Sequence, residues 1–212
     1  MIVGYPPAHT SMSSLPHSPA ADRNKEPILA CLKRILGEHG RALEVAAGTG
    51  QHAVSFAGSL AGWSWQPTDA DAGMLPVIAS RIAQAGSANV LPPLQLDVTA
   101  PHWPPFTQKF DAIYCANMLH IAPWAACPAL MAGAVQHLAP GGMLITYGPY
   151  FEEGVPPVAS NLAFDEDLRA RDPAWGIRRL EHVRAEAHRV GLALTQRHEM
   201  PANNLLLVFM RS

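Results

Sequence analysis

The stretch Glu44-Val45-Ala46-Ala47-Gly48-Thr49-Gly50-Gln51-His52-Ala53 sets two glycines between an apolar run and an amphipathic one. Glycines so placed let a backbone turn sharply and approach a ligand closely. The helix start behind them offers unpaired N–H groups and a positive dipole end. Read from Gly48, the string is G-x-G-x-x-A, and Asp69 follows Gly50 where an acid for ribose hydroxyls belongs in a dinucleotide site. A nicotinamide-linked oxidoreductase is therefore one reading. Glu44 opposes it, because a carboxylate near the end of the first strand repels a pyrophosphate and suits a cationic ligand. A mere strand-to-helix turn is the bland alternative, and it leaves the acids Glu44, Asp69 and Asp97 unexplained.

Other chemistries lack their residues. The ten histidines form no H-E-x-x-H and the three cysteines no C-x-x-C, so no metal is expected. Neither a G-x-S-x-G elbow nor a phosphate-binding G-x-x-x-x-G-K-[ST] loop is present. Asn24, Asn161, Asn203 and Asn204 sit at loop or helix edges, where asparagine ordinarily forms turns or caps. Their recurrence near one rim of the expected sheet makes them, with Lys25, substrate-binding candidates, and Arg23 beside Lys25 is a second cation able to steer an acidic substrate. Trp103, Trp124 and Trp175 are expected to pack loops, over a pocket or as local anchors.

The elements that must hold these groups follow from periodicity. Ile28, Cys31, Leu32, Ile35 and Leu36 recur at helical spacing over 24–38, with Pro27 in the first turn. Residues 41–46 read as a short buried strand running into the glycine loop, after which Ala53, Phe56, Ala57 and Leu60 mark a helix. The rhythm continues with strands at 63–67, 90–96, 110–116 and 143–147, and with helices carrying Leu75, Ile78 and Ile82 and then Cys127, Leu130, Met131 and Ala134. A long polar connection lies between Gly148 and Trp175. One more helix precedes two strands, 192–200 and 205–210, whose brief turn permits only antiparallel pairing. The pattern predicts a doubly wound α/β fold of seven strands, six parallel and one antiparallel, in a single domain over 22–212. The proline- and serine-rich residues 1–21 are expected to be a flexible leader.

On these residues the chain resembles the class I S-adenosylmethionine-dependent methyltransferases, whose first motif is E/D-x-G-x-G-x-G. Here it reads Glu44, Ala46, Gly48, Gly50, with alanine replacing the first glycine. Phe110-Asp111-Ala112-Ile113-Tyr114-Cys115-Ala116-Asn117, the Pro140-Gly141-Gly142 turn and the closing hairpin are also similar. The resemblance implies that the loop, with Thr49, wraps the methionine part of S-adenosyl-L-methionine, that Asp69 holds the ribose hydroxyls, and that Asp97 and Val98 meet the adenine. Asn117 joins this set of cofactor-binding candidates. More narrowly, Asp22-Arg23-Asn24-Lys25-Glu26-Pro27, Gly48-Thr49-Gly50-Gln51-His52, Ala116-Asn117-Met118-Leu119-His120-Ile121-Ala122-Pro123-Trp124 and Pro201-Ala202-Asn203-Asn204-Leu205 resemble a small methyltransferase-like family of undefined function.

Methyl transfer from a sulfonium is an in-line displacement, so such a protein chiefly supplies alignment and a dry pocket. Where the acceptor is a hydroxyl or amine, His120 or Tyr147, beyond the fourth and fifth strands, is placed to remove its proton. His52 reads as structural or lining. A non-catalytic S-adenosylmethionine-binding protein remains the alternative to an enzyme. Of 212 residues, 49% are hydrophobic, enough for a sizeable core, and 15 basic against 17 acidic residues give a net charge of −2. That balance disfavours a nucleic-acid partner and favours a small-molecule substrate. Three unpaired cysteines and the lack of a long apolar run point to a cytoplasmic protein without membrane attachment.

Overall fold

A computed structural model describes residues 15–211. In chain order the elements are α1 (Pro19–Ile35), β1 (Gly40–Val45), α2 (Gln51–Ser59), β2 (Trp63–Asp69), α3 (Met74–Ala85), β3 (Leu94–Gln95), β4 (Phe110–Ala116), α4 (Ala126–His137), β5 (Leu138–Phe151), α5 (Ala159–Arg171), β6 (Arg178–Arg179), α6 (Leu180–Arg189), β7 (Leu192–Met200) and β8 (Asn204–Arg211). Short 3₁₀ turns occupy Met118–His120 and Pro201–Asn203. The sheet order is β3-β2-β1-β4-β5-β8-β7, with β6 a two-residue addition beside β5. Only β8 runs against its neighbours, as the short turn before it requires. Chain order reverses direction between β1 and β4, the switch point at which open α/β sheets hold ligands.

Alternation along the strands divides the core into two layers. Leu43 and Val45 of β1 join Ile113, Cys115, Leu144 and the inner faces of α4 and α6. Ala42, on the opposite face, joins Tyr114, Ile145, Trp65 and the inner faces of α1 and α2. The cysteines Cys31, Cys115 and Cys127 are buried and free. No helix among the described residues is long and apolar enough to cross a membrane.

Several elements differ from the sequence reading. Helix α1 starts five residues earlier than expected: the Ser18 hydroxyl accepts from the Ala21 amide at 3.2 Å and Pro19 takes the first helical position. Pro27 is thus inside the helix, not in its first turn. The leader expected over 1–21 lies largely outside the described residues, and its last three residues belong to α1. The strand expected over 90–96 pairs only at Leu94 and Gln95, with an isolated bridge from Val90 to Trp65. Pro92 and Pro93 supply no N–H to a ladder, which accounts for the gap. The long connection after Gly148 contains α5, whose only buried residues are Asn161 and Leu168. A helix with so little inward apolar surface leaves no period to read.

Candidate functional site

The glycine loop turns through a run of left-handed residues, with φ of 57° at Ala46, 55° at Gly48 and 74° at Gly50. Ala46 therefore holds the backbone conformation that the resembled motif fills with glycine. The Gly48 amide donates to Asp69 Oδ2 at 2.7 Å, and the Asp71 amide to Asp69 Oδ1 at 3.0 Å. A carboxylate has about four lone-pair positions, so Asp69 keeps two for a ligand. A Cβ built on Gly48 meets nothing within 4 Å, whereas one on Gly50 stands 3.1 Å from Ile78 Cγ2. Gly48 thus borders open space, and Gly50 is required for packing of α2 against α3. The Thr49 carbonyl accepts from Arg81 Nε at 2.6 Å, and Arg81 Nη2 also donates to the Pro16 carbonyl at 2.5 Å. Ser18 N donates to Gln51 Oε1 at 2.6 Å. These bonds tie the chain before α1 to the loop.

The Leu96 amide donates to the Asp69 carbonyl at 2.9 Å, which sets Asp97 just beyond β3 at the same end of the sheet. Asp97 is exposed, with Oδ1 accepting from Thr99 N and Oγ1 and Oδ2 left free. Val98 is buried and belongs to the core layer that Ala46 borders. Asp69, Asp97 and the glycine loop are therefore brought together as expected.

Glu44 is not placed as expected. It follows the parity of Ala42, enters the α1–α2 side of the sheet, and is only 2% exposed. Trp65 Nε1 donates to its Oε2 at 2.6 Å, and burial, reinforced by the charge of Asp69, pushes its pKa up to about 8. A carboxyl that is protonated at neutral pH offers no anion to a cationic ligand. Its backbone carbonyl accepts from the Thr68 hydroxyl at 2.7 Å, so Glu44 braces the two strands that carry the loop.

At the carboxyl ends of β4 and β5 opens a cavity of 780 Å³. Its wall includes Asn24, Asn117, His120, Tyr147, Asn161, Asn203 and Asn204, all singled out in the sequence. Lys25 is not among them: it pairs with Asp22 at 2.8 Å, and its neighbour Arg23 lines the cavity instead. Asn117, taken with the cofactor residues in the sequence, belongs to this wall too. Trp103, Trp124 and Trp175 line neither this cavity nor the smaller one beside it. They pack locally, against His137, His182 and Arg171 respectively.

His120 is 5% exposed, and neither ring nitrogen has a hydrogen-bond partner among the described residues. Its ring meets Phe164 edge-on, with centroids 5.5 Å apart. Burial, and then the charge of Arg178, lower its pKa to about 4, so the imidazole is neutral near pH 7. Tyr147 is oriented by a relay of side chains. The Tyr114 hydroxyl lies 3.2 Å from His52 Nδ1, and His52 Nε2 lies 2.7 Å from Asn24 Oδ1. An amide oxygen only accepts, so the proton is on Nε2 and Nδ1 accepts from Tyr114. Asn24 is also close enough to the Tyr147 phenol to lower its pKa, partly offsetting the upward push of burial. Tyr147 itself lines the cavity. His52 is thus a buried link to the wall, with a pKa lowered to about 4 by burial.

Sequence reading missed Ser18, Ala20, Ile121, Pro149, Ser160 and Phe164 of the wall. Ser-Pro at 18–19 is a helix-start signal that could have revealed the first two. Phe164 carried none. Two turns on the wall hold three non-glycine residues in the left-handed region, Asn117 (φ 60°), Ala202 (57°) and Asn203 (57°), a concentration of strain common where ligands bind.

The family described as "Protein of unknown function (DUF938)" matches residues 15–211. The chain belongs to this family. This DUF938 protein is similar in fold to the mitomycin 7-O-methyltransferase MmcR, with a TM-score of 0.78 and 13% identity over 91% of this chain and 54% of that one. It is also similar to an O-methyltransferase family 2 protein from Planctomyces limnophilus DSM 3776, in complex with apigenin, with a TM-score of 0.77 and 17% identity over 91% and 58% of the two chains. A third similar structure is PigF with SAH, at a TM-score of 0.74 and 14% identity over 90% and 56%. At such identities the likeness is one of fold, that of the class I S-adenosylmethionine-dependent methyltransferases. The DUF938 chain spans little more than half the length of these proteins.

Proposed function

We propose that this chain is an S-adenosylmethionine-dependent methyltransferase acting on a hydroxyl of a small molecule. One observation carries the reading. Asp69 is tied to the Gly48 amide, keeps two lone pairs, and faces a loop with open space over it, while the neighbouring strand ends carry a cavity walled by a neutral, unpartnered histidine. The residues fit the cofactor: Gly48, Thr49 and Gly50 would hold its methionine part, Asp69 the ribose diol, and Asp97 and Val98 the adenine. S-adenosylmethionine, when bound, supplies an electrophilic methyl group on a sulfonium. His120 takes the hydroxyl proton of the acceptor on a ring nitrogen, since its imidazole is unprotonated and otherwise unbonded. Tyr147 donates to the same oxygen or its neighbour and fixes the acceptor's angle. Burial of both rings keeps water from the reacting atoms.

Titration calorimetry with S-adenosylhomocysteine and with reduced nicotinamide dinucleotide tests the cofactor. Binding of the first alone is expected, and binding of the dinucleotide alone would refute the proposal. An acceptor screen with a labelled methyl donor then separates an enzyme from a non-catalytic binding protein, because only an enzyme transfers label.

A further inference from the structure

The wall of the 780 Å³ cavity contains no aspartate or glutamate, and Arg23 is its one charged residue. Arg197 pairs with Glu152, Arg169 with Asp165 and Lys25 with Asp22, whereas Arg178, whose charge reaches His120, bonds only the backbone carbonyls of Leu119, Ala122 and Ala174. Arg23 is exposed on the wall and has no ion-pair partner among the described residues, so its charge is available to a ligand in the cavity. Tyr147 also lines the cavity and adds a phenol that can donate or accept. The asparagines of the wall differ in character. Asn161 Nδ2 donates to the Asn203 carbonyl, Asn203 Nδ2 to Ser160 Oγ, and Asn204 Nδ2 to the Pro201 carbonyl at 3.0 Å. Asn204, whose Nδ2 also donates to the Ala202 carbonyl, offers only its Oδ1, while Asn161 and Asn203 each keep an Oδ1 and one N–H without a partner among the described residues. The wall also carries Ile121, Pro149 and Phe164, apolar surfaces suited to a flat ring.

Resting on the methyltransferase reading above, we infer that the acceptor is an anionic hydroxy compound built on a ring. Its carboxylate meets Arg23, and its neutral O–H groups meet the asparagine oxygens. A guanidinium recognises a carboxylate through paired charge-assisted bonds. A protonated amine at the same position faces like charge without a carboxylate to offset it.

The test uses the full chain and three probes of one shape: 3,4-dihydroxybenzoate, the corresponding benzamide and the corresponding benzylamine. Binding is followed by ligand-observed NMR, without turnover. The expected order is benzoate over benzamide over benzylamine, with at least about tenfold between the first and last at low salt, shrinking as ionic strength rises. Arg23→Gln should bring benzoate down to the benzamide affinity and leave benzamide unchanged, while Lys25→Gln should alter neither. Equal affinities, a reversed order, an equal effect of Lys25→Gln, or no binding of any probe would overturn the inference. S-adenosylhomocysteine titrated into the same protein decides the cofactor reading separately: if it binds while the probes show no charge order, only the acceptor class is wrong.

Discussion

Asp69 Oδ2 accepts the Gly48 amide at 2.7 Å, so the acid that ends β2 also fixes the turn after β1. The ends of two strands are thereby locked together at the glycine loop. Asp69→Ala removes the turn's partner and the ligand's together. Hydrogen bonds to an ionised group contribute about 1.5–3 kcal/mol each, so affinity for S-adenosylhomocysteine should fall roughly 10- to 100-fold by calorimetry. Asp69→Asn, which can still accept from Gly48, should lose less. Equal affinities for wild type and both variants would show that this acid does not contact the cofactor.

The glycine loop contains one residue in conflict with its backbone. Ala46 sits at φ 57°, a conformation costing a non-glycine residue roughly 1–2 kcal/mol. Ala46→Gly should therefore stabilise the fold by about 1 kcal/mol or less, part of the relief being lost to the greater freedom of glycine in the unfolded chain. Gly50→Ala should destabilise it more than Gly48→Ala, since only the former drives a Cβ onto Ile78. Urea denaturation of the three variants gives the order directly. Gly48→Arg, filling the open space above the turn, should abolish S-adenosylhomocysteine binding while the protein still folds.

Glu44 makes stability fall with rising pH. Its folded pKa, about 8, is above the ordinary glutamate value, so the folded state binds more protons between the two. Stability from this group is full below about pH 4.5 and is lost as pH rises through 8. Glu44→Gln should remove that slope and raise stability at pH 7 by an amount on the order of 3 kcal/mol. Thermal denaturation from pH 5 to 9 reads the difference, and parallel curves for the two proteins would refute it.

His120 and His52 act in the opposite sense. Both are held near a pKa of about 4 by burial, so the unfolded chain binds protons first as pH falls. Stability should decline from about 6.5 toward 4, and His52→Gln should soften that decline. For catalysis, the acid limb of kcat/KM should lie near 4 rather than at the usual histidine value, because that limb reports the free enzyme. His120→Asn should lower kcat by about 10²-fold or more while S-adenosylhomocysteine affinity remains. A limb at 6.5 would exclude His120 as the base.

Tyr147 depends on residues it does not touch. His52→Gln interrupts the path from Tyr114 to Asn24 and frees the Asn24 amide to rotate. The Tyr147 hydroxyl then loses its fixed direction, so KM for the acceptor should rise several-fold with little change in cofactor affinity. A change confined to stability would mean the relay is only structural.

Most of the fold was legible because it rests on local signals. Apolar runs marked β1, β4 and β5, glycines marked the turn, and the three-residue link before β8 dictated its direction. Helix α5 left no trace, since it buries only Asn161 and Leu168. The asparagines of the wall could be named because polar side chains recurred at strand ends. Glu44 was misread although its parity was visible: Leu43 and Val45 face one layer, so Ala42 and Glu44 must face the other. Arg23 and Lys25 could not be separated by sequence, because only the folded chain shows which of the two cations lies on the cavity wall.

The cavity takes its wall from α1, near the start of the described chain, and from the hairpin at Pro201–Asn203, near its end. A ribosome releases the glycine loop long before it releases that hairpin. During synthesis the glycine loop and Asp69 thus emerge together, and the wall of the cavity is completed only once the hairpin has followed.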